Sequence, residues 1–135
     1  MMKTQTVQKT VKRPTHVINA EGMVLGRLAG QVVKLLLGKH KVSYSIHQDS
    51  GDFVKVENVE KMKVTGNTKL TDKEYLHYSQ YPGGLKRSTL INELEKNPAR
   101  VLRRAVARML PRNRTRMPRM HRLTIVGEKA NKRLW

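Results

Sequence analysis

An α/β fold with a partly parallel sheet is the architecture this sequence predicts. A short apolar strand over residues 16–20 precedes an amphipathic helix, and an alternating strand, Phe53–Glu57, follows it. That strand–helix–strand order makes a βαβ unit with a right-handed crossover. A chain of 135 residues suits one domain burying roughly two-thirds of its unfolded surface.

Each element has its own local reason. The first strand begins after Pro14, and Gly22 supplies a turn. In the helix Leu25–Leu37, steps of about 100° put Leu25, Leu28, Ala29, Val32, Val33 and Leu36 on one face. Arg27, Gln31 and Lys34 share the other face. Gly38 is placed to end the helix, with Lys39, His40 and Lys41 beyond it, where the negative dipole end favours cations. Ser50, Gly51 and Asp52 form a turn into Phe53–Glu57, and residues 62–65 form another strand, closed by Gly66 and Asn67. Residues 69–85 show no clear period, and Tyr81, Pro82, Gly83 and Gly84 make a turn. Ser88 or Thr89 caps a short helix reaching Lys96.

Asn97 and Pro98 mark a further helix start, an amide cap with proline at the first helical position. The helix spans residues 99–110, with Val101, Leu102, Ala105, Val106, Met109 and Leu110 inward. Arg100, Arg103, Arg104 and Arg108 face outward. Residues 111–122 hold two prolines and five arginines without periodicity, so they read as an extended arm or loop. A last strand covers residues 123–126. The domain is therefore assigned to residues 14–127, between a basic tail (1–13) and a C-terminal tail (128–135) ending in Trp135.

Charge decides the class of partner. The chain has 28 basic and 10 acidic residues, a formal net charge of +18. Between Lys96 and Gly127 there is no acid, but nine arginines: Arg100, Arg103, Arg104, Arg108, Arg112, Arg114, Arg116, Arg119 and Arg122. A block of one sign repels itself and calls for a polyanion, and the guanidinium fork pairs bidentately with phosphate. A nucleic acid fits. Aromatics make up only 4% of the chain, which disfavours single-strand readers built on base stacking. The lack of cysteine excludes disulfides and thiolate zinc sites and permits a reducing cytoplasm. No apolar run approaches the ~20 residues of a membrane span, and the N-terminus has no secretory core.

Enzymatic readings fare poorly. Gly22, Gly26 and Gly30 fit neither dinucleotide nor phosphate-loop spacing. They read as a turn and as close-approach positions of the helix. Ser45, His47 and Asp49 alternate, but a catalytic triad draws on distant segments, so they read as a polar RNA-facing loop. His16, His40, His47, His77 and His121 show no metal-ligand spacing. No cofactor, metal, catalytic group or small-molecule substrate is expected.

The residues also carry a family likeness. Asn19-Ala20-Glu21-Gly22 leads into Leu25-Gly26-Arg27-Leu28-Ala29, then Gly38 to Lys41 and Asp49 to Asp52. Lys63 to Gly66, Tyr81 to Leu85, Asn97-Pro98 and Met109 to Asn113 follow in order. This series, across about residues 14–127, resembles the universal large-subunit ribosomal protein L-thirteen family in its bacterial style. Departures occur at Thr15, Asn19, Tyr78 and Thr115-Arg116, and the ending from Lys129 to Trp135 replaces a common His-Pro-His. They point to a divergent bacterial lineage or an organellar ribosome.

The resemblance implies a three-layer α/β/α sandwich around a mainly parallel four-stranded sheet. It implies a cytoplasmic, ribosome-bound structural protein that binds 23S-type ribosomal RNA early in subunit assembly, beside neighbouring large-subunit proteins. A regulator of translation binding another RNA is the alternative. The expected RNA-facing residues are Lys39, His40, Lys41, Tyr81, Gly83, Gly84, Lys86, Arg87, Arg100, Arg104 and Arg108. Arg112, Asn113, Arg114, Arg116, Arg119 and Arg122 complete the set.

Overall fold

The computed structural model describes residues 13–66 and 68–127. The tails assigned to residues 1–13 and 128–135, Arg13 excepted, lie outside the described residues, as do Trp135 and Asn67. Strand β1 (Thr15–Asn19), helix α1 (Leu25–Leu37) and strand β2 (Phe53–Glu57) form the expected unit, with β1 and β2 parallel. Strand β5 (Leu123–Ile125) pairs in parallel with the other edge of β2, giving the order β1-β2-β5. Val54 and Val56 of this central strand are buried, while Phe53, Lys55 and Glu57 are not.

The expected fourth strand is a correction. Residues 62–65 contribute a single parallel bridge, Val24 to Lys63, so the parallel sheet has three strands among the described residues. The region read as irregular is ordered instead. A short helix α2 (Lys69–Asp72) leads to strand β3 (Glu74–Tyr78), which pairs antiparallel with β4 (Leu85–Thr89). Tyr81 and Gly83 sit at the tip of this hairpin, with Gly83 at a φ of 73°.

Helix α3 (Leu90–Lys96) follows with Thr89 as its N-cap residue, although the Thr89 side chain caps nothing. Helix α4 (Pro98–Met109) starts as its sequence dictates: the Asn97 side-chain oxygen accepts a hydrogen bond from the Arg100 N–H, and proline fills the first position. Leu28, Val32 and Leu36 of α1 are fully buried and join one core with Val101, Leu102 and Val106 of α4. Around α4 the inward set shifts slightly: Ala99 and Ala107 are buried, whereas Met109 is exposed.

The extended arm is also corrected. Residues 111–115 form bends and turns, but Arg116–His121 is a short helix, α5, ending at the start of β5. Pro118 hides this helix from the sequence pattern. It stands in the first turn, where its missing N–H has no partner to lose.

Two glycines fix how the α1–β2 connection folds. Gly38 ends α1 at a φ of 78°, with its N–H on the Leu35 carbonyl. A Cβ on Gly51 would lie 1.8 Å from the Leu36 carbonyl oxygen, so the loop's return passes directly beneath the end of α1. Gly26 and Gly30 do the opposite of what their spacing implies. A Cβ there would meet nothing within 4 Å, so they mediate no close approach. Replacing Gly51 with alanine should therefore destabilise the fold by at least about 3 kcal/mol through forced backbone displacement. Gly30→Ala should stabilise it by about 0.5–1 kcal/mol through helix propensity. Urea unfolding of the two variants against the parent checks both signs.

Candidate nucleic-acid interface

The loop after α1 gathers the basic chain around two carboxylates. Asp49 accepts hydrogen bonds from both terminal nitrogens of Arg122, each at 2.7 Å, and from Arg119 Nε at 3.3 Å. Both arginines are buried, at 3% and 5% exposure, and a terminal nitrogen of Arg122 also reaches the Leu36 carbonyl at 3.4 Å. Arg13 adds a hydrogen bond to the Asp49 backbone carbonyl at 3.1 Å. Burial alone pushes the Asp49 carboxyl up, but Arg122 and Arg119 outweigh it and hold it below the ordinary carboxylate range.

Three residues on, Asp52 is fully buried. Its Oδ1 accepts from Lys41 Nζ, which also donates to the Ser50 carbonyl at 3.0 Å. Its Oδ2 lies 3.0 Å from His16 Nε2 and 2.9 Å from His40 Nε2. Desolvation opposes ionisation of Asp52, yet Lys41 and the imidazoles draw its pKa below the usual value. His16, His40 and Asp52 are also the one group among the described residues with metal-ligand proximity, which linear spacing does not suggest.

These contacts redistribute the expected phosphate-facing residues. Arg119 and Arg122 leave the solvent-facing set, because α5 turns both inward onto Asp49. Lys41 and His40 are tied to Asp52, while Lys39 stays exposed beside them. Asp49 serves as an acceptor for the two interior arginines.

The remaining cations converge elsewhere. The hairpin and helices α3 and α4 enclose an open cleft of about 530 Å³. Lys86, Arg87 and His77 line it from the hairpin, Lys96 from α3, and Arg100, Arg104 and Arg108 from α4. Arg116 closes it from the start of α5, and among the described residues Glu93 is the only acid on its wall. Arg104 Nη1 is 3.4 Å from Glu93, and its guanidinium lies 4.7 Å from the centre of the Tyr75 ring. Arg108 approaches the same ring at 6.0 Å. Tyr75, the one buried residue of β3, is thus a platform that spaces two guanidinium groups. Ser88, on the hairpin beside this cleft, keeps its hydroxyl buried and without a hydrogen-bond partner in the protein.

Arg112, Asn113 and Arg114 are exposed between α4 and α5, with Asn113 accepting from the Thr115 hydroxyl at 2.7 Å. Tyr81, Gly83 and Gly84 lie at the hairpin tip, where the Tyr81 ring is exposed and the Gly84 N–H donates to the Tyr81 carbonyl. The sequence pattern misses Tyr75, His77 and Glu93. The hairpin brings Tyr75 and His77 opposite α4 and helix α3 brings Glu93 there, and nothing in their spacing signals it.

Comparison with known proteins finds clear relatives of the chain. The profile of the family described as ribosomal protein L13 matches residues 13–132. The large ribosomal subunit protein uL13 of Thermoanaerobacter sp. (strain X514) is 50% identical over 115 residues, 85% of this chain and 80% of its own. That of Thermotoga maritima is 47% identical over 126 residues, covering 88% and 84%. That of Coxiella burnetii (strain RSA 331) is 50% identical over 104 residues, covering 77% and 72%.

The Asp49 cluster generates a pH prediction. A carboxylate whose folded pKa is depressed adds stability above its unfolded value, about 3.9. That contribution is lost as pH falls through the folded value. Asp49→Asn should cost about 3 kcal/mol at pH 7, because two buried guanidinium groups lose their counter-charge. It should also flatten the decline in stability below about pH 4. Chemical denaturation at pH 7 and across the acid limb reads both effects.

Proposed function

The chain belongs to the ribosomal protein L13 family, and from that membership we propose a structural component of the large ribosomal subunit. It binds 23S-type ribosomal RNA during subunit assembly, at cytoplasmic ribosomes and beside neighbouring subunit proteins. It performs no catalysis.

The observation that carries the reading is the cleft between the hairpin and α4. Seven Lys or Arg side chains and one histidine line it against a single glutamate, and that glutamate is already engaged by Arg104. A phosphodiester backbone is the ligand such a wall accommodates, since every added phosphate lowers repulsion among the guanidinium groups. Arg104 and Arg108, held over Tyr75 on a rigid helix, lose little freedom when they bind. Arg112, Asn113 and Arg114 extend the same charge to the α4–α5 turn, and Lys39 marks a second contact near the end of α1. At the hairpin tip the Tyr81 ring and the Gly83–Gly84 backbone supply shape rather than charge.

The sorting of arginines into outward and inward groups makes the reading testable. In titrations of a 23S rRNA fragment at several salt concentrations, the Arg108→Ala, Arg112→Ala, Arg114→Ala triple variant should bind more weakly. Its log–log salt slope should flatten by up to about one unit for each phosphate that is no longer neutralised. An unchanged slope would remove these residues from the interface. Stable co-migration of the tagged chain with large subunits through a high-salt gradient supports the ribosomal assignment. Affinity for unrelated messenger RNA without co-migration would favour a regulator instead.

A further inference from the structure

We propose that His16, His40 and Asp52 form a binding site for a single divalent transition ion of the zinc type, open at its fourth position. The geometry points to it. His16 Nε2 and His40 Nε2 lie 3.0 and 2.9 Å from the same carboxylate oxygen, Asp52 Oδ2, and all three ligand atoms fall within 4.8 Å of one another. Tetrahedral zinc with bonds of about 2.0–2.1 Å sets its ligands roughly 3.3 Å apart. The two imidazole–carboxylate separations need to open by only a few tenths of an ångström, while the two imidazole nitrogens, no more than 4.8 Å apart, adjust by side-chain rotation.

The three residues come from separate parts of the framework. His16 stands on β1, His40 follows α1, and Asp52 immediately precedes β2. β1 and β2 are hydrogen-bonded neighbours, and the Phe53 N–H donates to the Pro14 carbonyl, so the ligands on either side are fixed in register. The imidazole rings meet edge-on, with centroids 5.4 Å apart, and both present Nε2 to the same Asp52 oxygen.

The two Asp52 oxygens are also divided in the manner of a ligating carboxylate. Oδ1 is held by Lys41, which itself is fixed by the Ser50 carbonyl, while Oδ2 faces only the imidazoles. An outer hydrogen bond on one oxygen and the metal on the other is the usual support of such a ligand. In the metal-free protein each Nε2 presents its N–H to Oδ2. On binding, the ion replaces these two protons, which move to Nδ1 or to solvent. Both histidines keep about a third of their side-chain surface in solvent, so water or another oxygen ligand reaches the fourth position. Two imidazole nitrogens and one carboxylate suit zinc, whereas magnesium and calcium select all-oxygen sites.

The test uses the full chain, stripped with a chelator and titrated with Zn²⁺ against a chromophoric competitor. One equivalent should bind, and excess Mg²⁺ should not displace it. His16→Ala and His40→Ala should each weaken binding at least about tenfold. His47→Ala, His77→Ala and His121→Ala should bind as the parent does. Circular dichroism of each variant checks that it is folded. Histidine ring NMR of the unaltered chain gives a reading free of mutation: Zn²⁺ should move the His16 and His40 signals alone. Absence of stoichiometric binding overturns the proposal, as does dependence on the other three histidines or NMR shifts spread over all five.

Discussion

The loop of residues 49–52 is what the rest of the structure turns on. It must pass under the carboxyl end of α1, and a Cβ at Gly51 would collide with the Leu36 carbonyl there. That close passage places one carboxylate on each side of the turn. Asp49 reaches toward α5 and the start of β5, while Asp52 reaches toward β1 and the residues after α1. Arg119, Arg122, His16, His40 and Lys41 converge on these two acids from separate segments of the chain. In a chain with so few carboxylates, their placement decides which basic groups serve the fold.

Seen this way, the acid-free stretch after Lys96 is two populations rather than one block. Arg119 and Arg122 are interior groups whose counter-charge lies some seventy residues earlier in the chain. Arg122 does double duty, since its backbone carbonyl accepts from the Val54 N–H while its guanidinium holds Asp49 and Leu36. It therefore fastens β5 to the central strand and the loop to α1 in one residue. Arg104 is intermediate, engaged by Glu93 and the Tyr75 ring but still lining the cleft. Arg108, Arg112 and Arg114 are on the surface.

Periodicity made most of the framework legible. The two amphipathic helices, the alternating β2 and the Asn97-Pro98 start were readable because burial on one side leaves a trace at 3.6 or 2 residues. The hairpin left none. Of β3 only Tyr75 is buried, and Leu76 and Tyr78 are exposed, so no face of the strand is consistently apolar. Helix α5 hid behind Pro118, whose position in the first turn is harmless but whose presence reads as a break. Residues 62–65 alternate like a strand yet hold one bridge, because propensity cannot supply a partner edge. The acid-free arginine block entered the expected RNA-facing set as one stretch of sequence. Nothing in it could separate Arg112 from Arg122, because partners so distant in the chain are invisible to spacing.

That separation also changes the electrostatic logic. Read as a line of sequence, nine arginines without an acid demand an external polyanion before the chain can fold. In three dimensions the demand is smaller. Two unit charges 10 Å apart in water repel by only about 0.4 kcal/mol, and physiological salt screens them over about 8 Å. The surface arginines thus cost the isolated protein little, while the interior ones are stabilised by Asp49 without help. The same arithmetic inverts next to RNA. In a cleft walled by protein the effective dielectric falls, and each guanidinium brought against a phosphate both gains a partner and sheds repulsion from its neighbours. Folding therefore draws on Arg119 and Arg122 and leaves the surface arginines for the proposed RNA contact, and the division between them is set by which side of α5 faces the 49–52 loop.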